Sequence, residues 1–466
     1  MKKFTNWLIP IILGVGLWFV PTPEGLTPQS WHLFAIFVAT IAGFITQPLP
    51  IGGVSIIVIT VAALTGTLKI SEGLSGFSNS AIWLIVGAFL FSRGFIKTGL
   101  GKRIAYNLIS AFGSSSLRLA YALALSDLIL APATPSNTAR VGGVIMPITT
   151  SLAKAFGSEP QNGPRKIGSF LMQSIYQVNT VTSAMFQTSM AGNTLVAALA
   201  LQSFGIGITW GDWAMAAIVP GIIALLIMPY FIYKVYPPEI KDAREAQQMI
   251  RQELKELGSM SFQEWIMLGV FILALVLWAT SQFTNLDATV VAFLGISILL
   301  ATGVLIWDDV KSEKGAWDTL VWMGTLMAFA GFLSKLGFIK WATVLVGGYI
   351  PEGSWVIAFI VAVVVNTYAH YVFASLTAHI SAMFVAFSAI AISAGAPPML
   401  TLLMIAFTSN LCMSLTHYAA GPSPVIFNTG YVPQNTWWKL GFFTSVINLI
   451  IFVGIGSVWM KVIGMW

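Results

Sequence analysis

Charge is scarce in this sequence: 9% of its 466 residues are Asp, Glu, Lys or Arg, against about 25% in soluble domains. With 57% hydrophobic residues and a mean hydropathy of +0.83, such a chain does not suit water, and it reads as an integral membrane protein. Cysteine is nearly absent. The single Cys412 lies in an apolar stretch, which excludes a disulfide framework and a cysteine cluster for metal and leaves the thiol as packing. Nucleotide-binding glycine loops and paired catalytic carboxylates are also missing, and with them the enzyme classes they serve. The formal charge of +6 is scattered over loops that flank apolar runs rather than gathered in a patch, which points away from nucleic acid and toward positive-inside bias. The N-terminal Lys pair and apolar core resemble a signal peptide but continue without a small-residue cleavage site, so residues 1–30 are expected to be a retained first transmembrane helix and outer loop.

What is present is a series of apolar runs long enough to cross a bilayer, near 5–20, 31–46, 52–68, 81–96, 166–190, 213–236, 263–280, 287–306, 319–335, 400–418 and 438–463. The expected fold is therefore an all-α polytopic membrane protein with about eleven transmembrane helices. Two further apolar runs, 119–155 and 354–391, are each interrupted at their middle by polar sequence, the pattern of a re-entrant helix-turn-helix hairpin. A short amphipathic stretch precedes each, at 99–113 and 337–349, and suits a helix lying along the membrane surface. With the N-terminus cytoplasmic and the C-terminus outside, 18 basic residues fall inside and 4 outside, Arg140 in the first hairpin completing the 23. That asymmetry favours this orientation, with the first hairpin entering from the cytoplasm and the second from outside.

The hairpin middles match each other. Ser136, Asn137 and Thr138 correspond to Ser375, Leu376 and Thr377 at an offset of 239, and Arg140 corresponds to His379. The string Gly94-Phe95-Ile96-Lys97 recurs as Gly337-Phe338-Ile339-Lys340 at an offset of 243. Two repeats follow, 31–236 and 263–466, joined by a charged, helix-forming cytoplasmic linker at 237–262. An odd number of crossings separates them, so they are expected to be inverted in the membrane, as in secondary transporters with a central site.

Non-helical backbone at membrane depth has to be buried in protein or line a polar cavity. Besides the two hairpin tips, the sequence breaks helices at Ala191–Thr194, with Gly192 and Asn193, and at Ala419–Pro424, with Gly421 and Pro422. A Ser or Thr at a helix start leaves free N–H groups and a partial positive charge at the tip, which suits a carboxylate. Two such ends facing each other suit an anion with a negative group at each end, hence a dicarboxylate.

These residues resemble the divalent anion/sodium symporter (DASS) family: Ser-Asn-Thr in one hairpin, a related Ser-x-Thr in the inverted second repeat, and two Gly/Pro-broken spans, over essentially the whole chain. The resemblance implies di- or tricarboxylate transport, a homodimer, and an elevator movement of hairpins and broken helices past a scaffold. In sodium-using members the cation lies beside these motifs. Here Leu376 has no side-chain oxygen, and Arg140 and His379 stand one helical turn after each motif serine, as cations in place of sodium. That pair is similar to the exchanger branch, which includes 2-oxoglutarate/malate translocators and citrate or tartrate/succinate antiporters. The expectation is sodium-independent exchange of C4–C6 carboxylates across the cell membrane, with no metal and no cofactor.

Competing readings accompany these residues. Asp127 lies about as far before the first tip as Arg140 lies after it, so the two suit a structural ion pair. His379 suits a packed histidine bonded to a carbonyl, and His370 and His417 suit either structure or proton coupling. Sodium- or proton-coupled dicarboxylate symport is the alternative function. A remote alternative is an intramembrane enzyme pairing Ser136 or Ser375 with His379 or His417.

Overall fold

Helix starts follow the caps that the sequence supplies. The computed structural model describes residues 2–347 and 355–466, and among these it contains helices, turns and two isolated β-bridges but no strand. Helix α1 spans Lys2–Phe19. Thr27 then caps α2 (Pro28–Thr46) by accepting the N–H of Ser30, with Pro28 in the first turn, where its missing N–H costs nothing. Helices α3 (Ile51–Leu64), α4 (Ser80–Thr98) and α5 (Leu100–Phe112) follow. The first hairpin has arms α6 (Ser116–Leu130) and α7, the latter running from Asn137–Arg140 through a π-helical stretch, Val141–Ile145, into Met146–Ala155. The fifth span is two half-helices, α8 (Gly168–Met185) and α9 (Ala191–Phe204), and α10 (Trp210–Val235) closes the first repeat.

After linker helix α11 (Arg244–Glu256) the same order returns: α12 (Phe262–Ala279), α13 (Ala288–Ala301), α14 (Lys314–Lys335), α15 (Phe338–Gly347), hairpin arms α16 (Trp355–Ala369) and α17 (Leu376–Ser393), half-helices α18 (Pro398–Leu411) and α19 (Pro422–Phe427), and α20 (Gln434–Leu449) with its continuation to Val462. Even the opening cap recurs, since Ser261 and Glu264 form a reciprocal capping box at α12 where Thr27 caps α2. Residues 348 and 349 of the expected second surface helix, and residue 354 of the second hairpin, lie outside the described residues.

The Gly-Phe-Ile-Lys strings are not equivalent in this architecture. The first lies inside α4, whereas the second opens α15. The glycines that correspond are Gly99 and Gly337, each at positive φ (76° and 82°) at the corner between a long helix and the short helix after it, a conformation that glycine adopts without a Cβ penalty. Their offset, 238, agrees with the 239 of the hairpin motifs.

Ten helices among the described residues are long and apolar enough to cross a membrane, and three of them are hairpin arms. The expected crossings missing from that set are short, such as Ile51–Leu64 and Ala288–Ala301, or divided, as in α8–α9. Every residue of α8 is buried although Gln173, Gln177, Asn179 and Thr182 are polar, because the first hairpin, α10 and α18 surround it.

The linker is clamped rather than loose. Arg103 of α5 donates from Nε to Glu264 at 2.5 Å and from a terminal nitrogen to the Gly258 carbonyl at 2.8 Å. Tyr106 donates to Glu253 at 2.8 Å, and burial together with that carboxylate holds its phenol above the usual range, so it remains a donor at physiological pH. Arg103→Ala removes charged hydrogen bonds of about 1.5–3 kcal/mol each. Limited trypsin digestion is expected to cut after Arg251 or Lys255 at least about tenfold faster in that variant; equal rates would place the clamp's stability elsewhere.

Candidate functional site

Each hairpin ends in a capped helix start. In the first, a tight turn at Ala131–Ala133 contains Pro132, the chain then extends, and Ser136 Oγ accepts the N–H of Ala139 at 3.1 Å. In the second, a turn at His370–Val372 leads to Ser375, whose Oγ accepts the N–H of Ala378 at 3.3 Å. The second arm of each hairpin thus points its N-terminus at its own tip.

The two tips meet at one cavity of about 330 Å³. Pro135 to Thr138 and Ala374 to Thr377 both line it, together with Met190, Ala191 and Gly192 at the start of α9. Ala420 and Gly421 complete it from the break before α19. Gln47, Phe89, Thr319 and Trp322, from the end of α2, α4 and α14, also line it. Among the described residues, no acidic or basic side chain lines this cavity. Its positive character comes from the starts of α7, α9 and α17, where N–H groups lack intrahelical acceptors, and its directional groups are hydroxyls and amides. A slightly larger cavity, of about 380 Å³, lies between α1, α2 and α3 and is lined almost wholly by apolar side chains, so it offers an anion nothing.

The breaks in the spans fall earlier than the sequence suggested. The fifth span breaks at 186–190 and the tenth at 412–421, and Ala191 and Pro422 are first residues of the second halves. Gly192 and Gly421 reach the cavity wall, but Asn193 and Pro422 do not. Asn193 staples the break instead: its Nδ2 donates to the carbonyls of Ser183 (2.8 Å) and Phe186 (2.9 Å), and its Oδ1 accepts from Asn410 (2.7 Å). Gln47, Thr319 and Trp322 escaped sequence reasoning. Gln47 carried one usable signal, a helix stop before Pro48, and it takes positive φ (45°) there, an uncommon conformation for a non-glycine residue.

Arg140 lies behind the first tip and outside the cavity wall. Its Nε pairs with Asp127 at 2.8 Å, one terminal nitrogen donates to the carbonyls of Thr134 (2.9 Å) and Ser189 (3.0 Å), and the other to the hydroxyls of Thr182 (3.3 Å) and Ser183 (3.2 Å). All five guanidinium donors are used. Asp127 also accepts from Asn179 at 3.1 Å and from Thr182. Arg140 is therefore a compensated charge, the ion-pair alternative raised by its spacing from Asp127, and it ties the tip to the first arm and to the fifth-span break.

The second repeat fills the equivalent place differently. Asn366 stands 239 residues after Asp127, and His379 stands 239 after Arg140. His379 is fully buried, and neither ring nitrogen has a hydrogen-bond partner among the described residues, so the carbonyl-bonded reading does not describe it. His370 contacts the Ala419 carbonyl through Nε2 at 2.9 Å. His417 accepts from the Trp438 indole at 3.0 Å, and His32 stacks on Trp18.

Comparison with known proteins agrees with this architecture. Over its full length the chain is 52% identical to YflS of Bacillus subtilis, covering 97% of that protein. It is 46% identical to the chloroplastic dicarboxylate transporter 1 of Spinacia oleracea, covering 98% of this chain and 81% of that one. It is 39% identical to the inner membrane protein YbhI of Escherichia coli over 100% of this chain and 99% of that protein. The crystal structure of the YdaH transporter of Alcanivorax borkumensis superposes with a TM-score of 0.51 at 11% identity, covering 87% of this chain and 88% of the other, which is a likeness of fold. The family described as the sodium:sulfate symporter transmembrane region matches residues 1–466, and this multi-pass membrane protein, a transporter and not an enzyme, belongs to that divalent anion/sodium symporter family.

Proposed function

We propose that the protein exchanges C4–C6 di- or tricarboxylates such as 2-oxoglutarate, malate or succinate across the cytoplasmic membrane without sodium. One observation carries the reading: two serine-capped helix starts line the same polar cavity, in whose wall no charged side chain stands among the described residues. A carboxylate at each tip meets N–H donors and a partial positive charge, and the rest of a small dianion lies between them. The provisional name of YflS is malate transporter, and the spinach relative is named for dicarboxylates, which supports this substrate class.

The donors around the tips do not fit sodium. Behind the first tip the carbonyls of Thr134 and Ser189 already accept from Arg140, and at the second tip Leu376 offers no side-chain oxygen beside the buried imidazole of His379. No step of the cycle is assigned to a cation. With the N-terminus cytoplasmic, Gln47 at the end of α2 and Thr319 near the start of α14 lie on the cytoplasmic half of the scaffold, so the cavity is in an inward-facing state. The hairpins and broken spans then carry the substrate past the scaffold as an elevator, in each protomer of a homodimer. Moving uncompensated helix-end charge through the bilayer without a dianion is costly, which makes the return step depend on a second dicarboxylate.

Proteoliposomes test this. Radiolabelled malate is expected to enter vesicles loaded with malate or 2-oxoglutarate at least about tenfold faster than empty ones, equally in sodium and in choline. A tenfold difference corresponds to about 1.4 kcal/mol, well below the several kcal/mol set against the empty carrier. Uptake into empty vesicles at the loaded rate, or dependence on sodium, overturns the reading. The free nitrogens of His379 favour one second reading, proton-coupled symport, for which uptake into empty vesicles would collapse when a protonophore is added.

A further inference from the structure

We infer that His370, His379 and Cys412 form a binding site for a soft monovalent metal ion, Cu⁺ or Ag⁺, behind the tip of the second hairpin. The three ligand atoms lie within 4.8 Å of one another, just above the span of two metal–ligand bonds of about 2.0–2.3 Å each. All three side chains are fully buried. They come from three places that only the fold joins: the turn before the tip, the first turns of α17, and the break after α18.

The unmade hydrogen bonds point to a ligand. His370 contacts the Ala419 carbonyl through Nε2 at 2.9 Å, which puts its proton there, and its Nδ1 lone pair has no partner. A histidine whose far nitrogen donates to a carbonyl is the usual arrangement of a metal ligand. Both nitrogens of His379 are unpartnered as well, and buried polar atoms seldom remain so. The pseudo-equivalent place behind the first tip shows the contrast. There Arg140 and Asp127 satisfy each other and their neighbours, whereas the second repeat leaves imidazole lone pairs facing a thiol that donates to the Ser409 carbonyl at 3.3 Å.

Chemistry selects the ion. A thiolate and two neutral imidazoles suit soft metals, and binding releases the Cys412 proton to water. With a monovalent ion the complex is neutral, so no net charge is buried. Zn²⁺ would leave a net positive charge in a closed apolar surround and lack a fourth ligand. A bound ion braces the second hairpin against the tenth-span break, two elements whose residues both line the cavity. This departs from the sequence expectation of no metal and of a cysteine used only for packing.

Silver nitrate in chloride-free buffer is the probe, because Ag⁺ presents Cu⁺ coordination without its redox chemistry. Full-length protein in detergent is expected to retain one Ag⁺ per chain by elemental analysis, with a higher melting temperature and displacement by Cu⁺. Cys412→Ala should lose the ion while matching the metal-free wild type in elution and melting, with Cys412→Ser as a second variant should alanine not fold. His370→Gln and His379→Gln should each weaken retention by about 10–100-fold. Failure of the wild type to bind, or binding that needs Cys412 but is unchanged in both histidine variants, overturns the site. Exchange in proteoliposomes, which rests on the function proposed above, should be blocked by silver in the wild type and not in Cys412→Ala. Silver that binds without blocking overturns the bracing, while absence of exchange from metal-free vesicles counts against the transport reading and leaves the binding result standing.

Discussion

Arg140→Ala is expected to cost about 3–5 kcal/mol of stability and to abolish exchange. The reason is local: Arg140 and Asp127 are both buried, at 1% and 2% exposure, and removing one partner leaves the other charge without compensation in a medium that cannot solvate it. The loss extends beyond the ion pair, since the Thr134 and Ser189 carbonyls lose their donor too. These carbonyls belong to the first tip and to the fifth-span break, so the elements that form the cavity wall lose their common tie. Asp127→Asn should destabilise for the complementary reason. Asp127→Leu with Arg140→Met removes both charges, and buried ion pairs replaced by apolar groups are often neutral in stability. Thermal melting of the double variant is therefore expected to recover most of the loss while exchange stays absent. A single Arg140→Ala variant that melts with the wild type would show that the network does not hold the tip.

Gly421→Ala is expected to lower exchange by about 5- to 150-fold at limiting substrate. A Cβ built on Gly421 would stand 2.1 Å from Thr138 Oγ1 and 3.3 Å from its Cβ, so the first tip and the tenth-span break touch at a point with no room for a methyl group. Thr138 is β-branched and restricted at χ1, and both residues line the cavity. Overpacking of this kind costs about 1–3 kcal/mol, which converts to the range given. Gly192 offers a comparison, because its added Cβ would meet only the far ends of two side chains, the terminal methyls of Met190 at 2.2 Å and of Ile380 at 2.6 Å, and the methionine in particular can move. Gly192→Ala should therefore be milder. Thr138→Ala on the Gly421→Ala background should restore packing and melting temperature without restoring affinity, as the Thr138 hydroxyl is then absent from the wall. Wild-type kinetics in Gly421→Ala would mean that the tip and the break separate during transport.

Much of the architecture is legible in local sequence. The membrane class follows from a charged fraction too low for any soluble domain. The hairpin tips follow from polar residues interrupting apolar runs, and Ser136 and Ser375 are readable as helix caps because capping depends on residues three positions apart. The charge at Arg140 was legible as well, and so was its candidate partner Asp127, but not the choice between an open cation and a pair. That choice depends on Asn179, Thr182, Ser183 and Ser189, which only the packing of α8 and its break against the hairpin brings within reach.

Repeat matching shows the same division. The Ser136 to Ser375 offset reflects architecture, whereas the Gly-Phe-Ile-Lys match falls inside a helix in one half and at a corner in the other, because four-residue identities between apolar helices arise readily from limited composition. The positive φ of Gly99 and Gly337 is what aligns those corners. By itself, then, the sequence determined a helical membrane transporter with two polar hairpin tips, since hydropathy and capping act over a few residues. Tertiary structure alone decided that Gln47, Thr319 and Trp322 share the cavity, that Asn193 staples a break instead of facing it, and that His370, His379 and Cys412 meet behind the second tip. Each of these is a contact between segments far apart in the chain, set by how buried helices pack and by which polar groups find partners there.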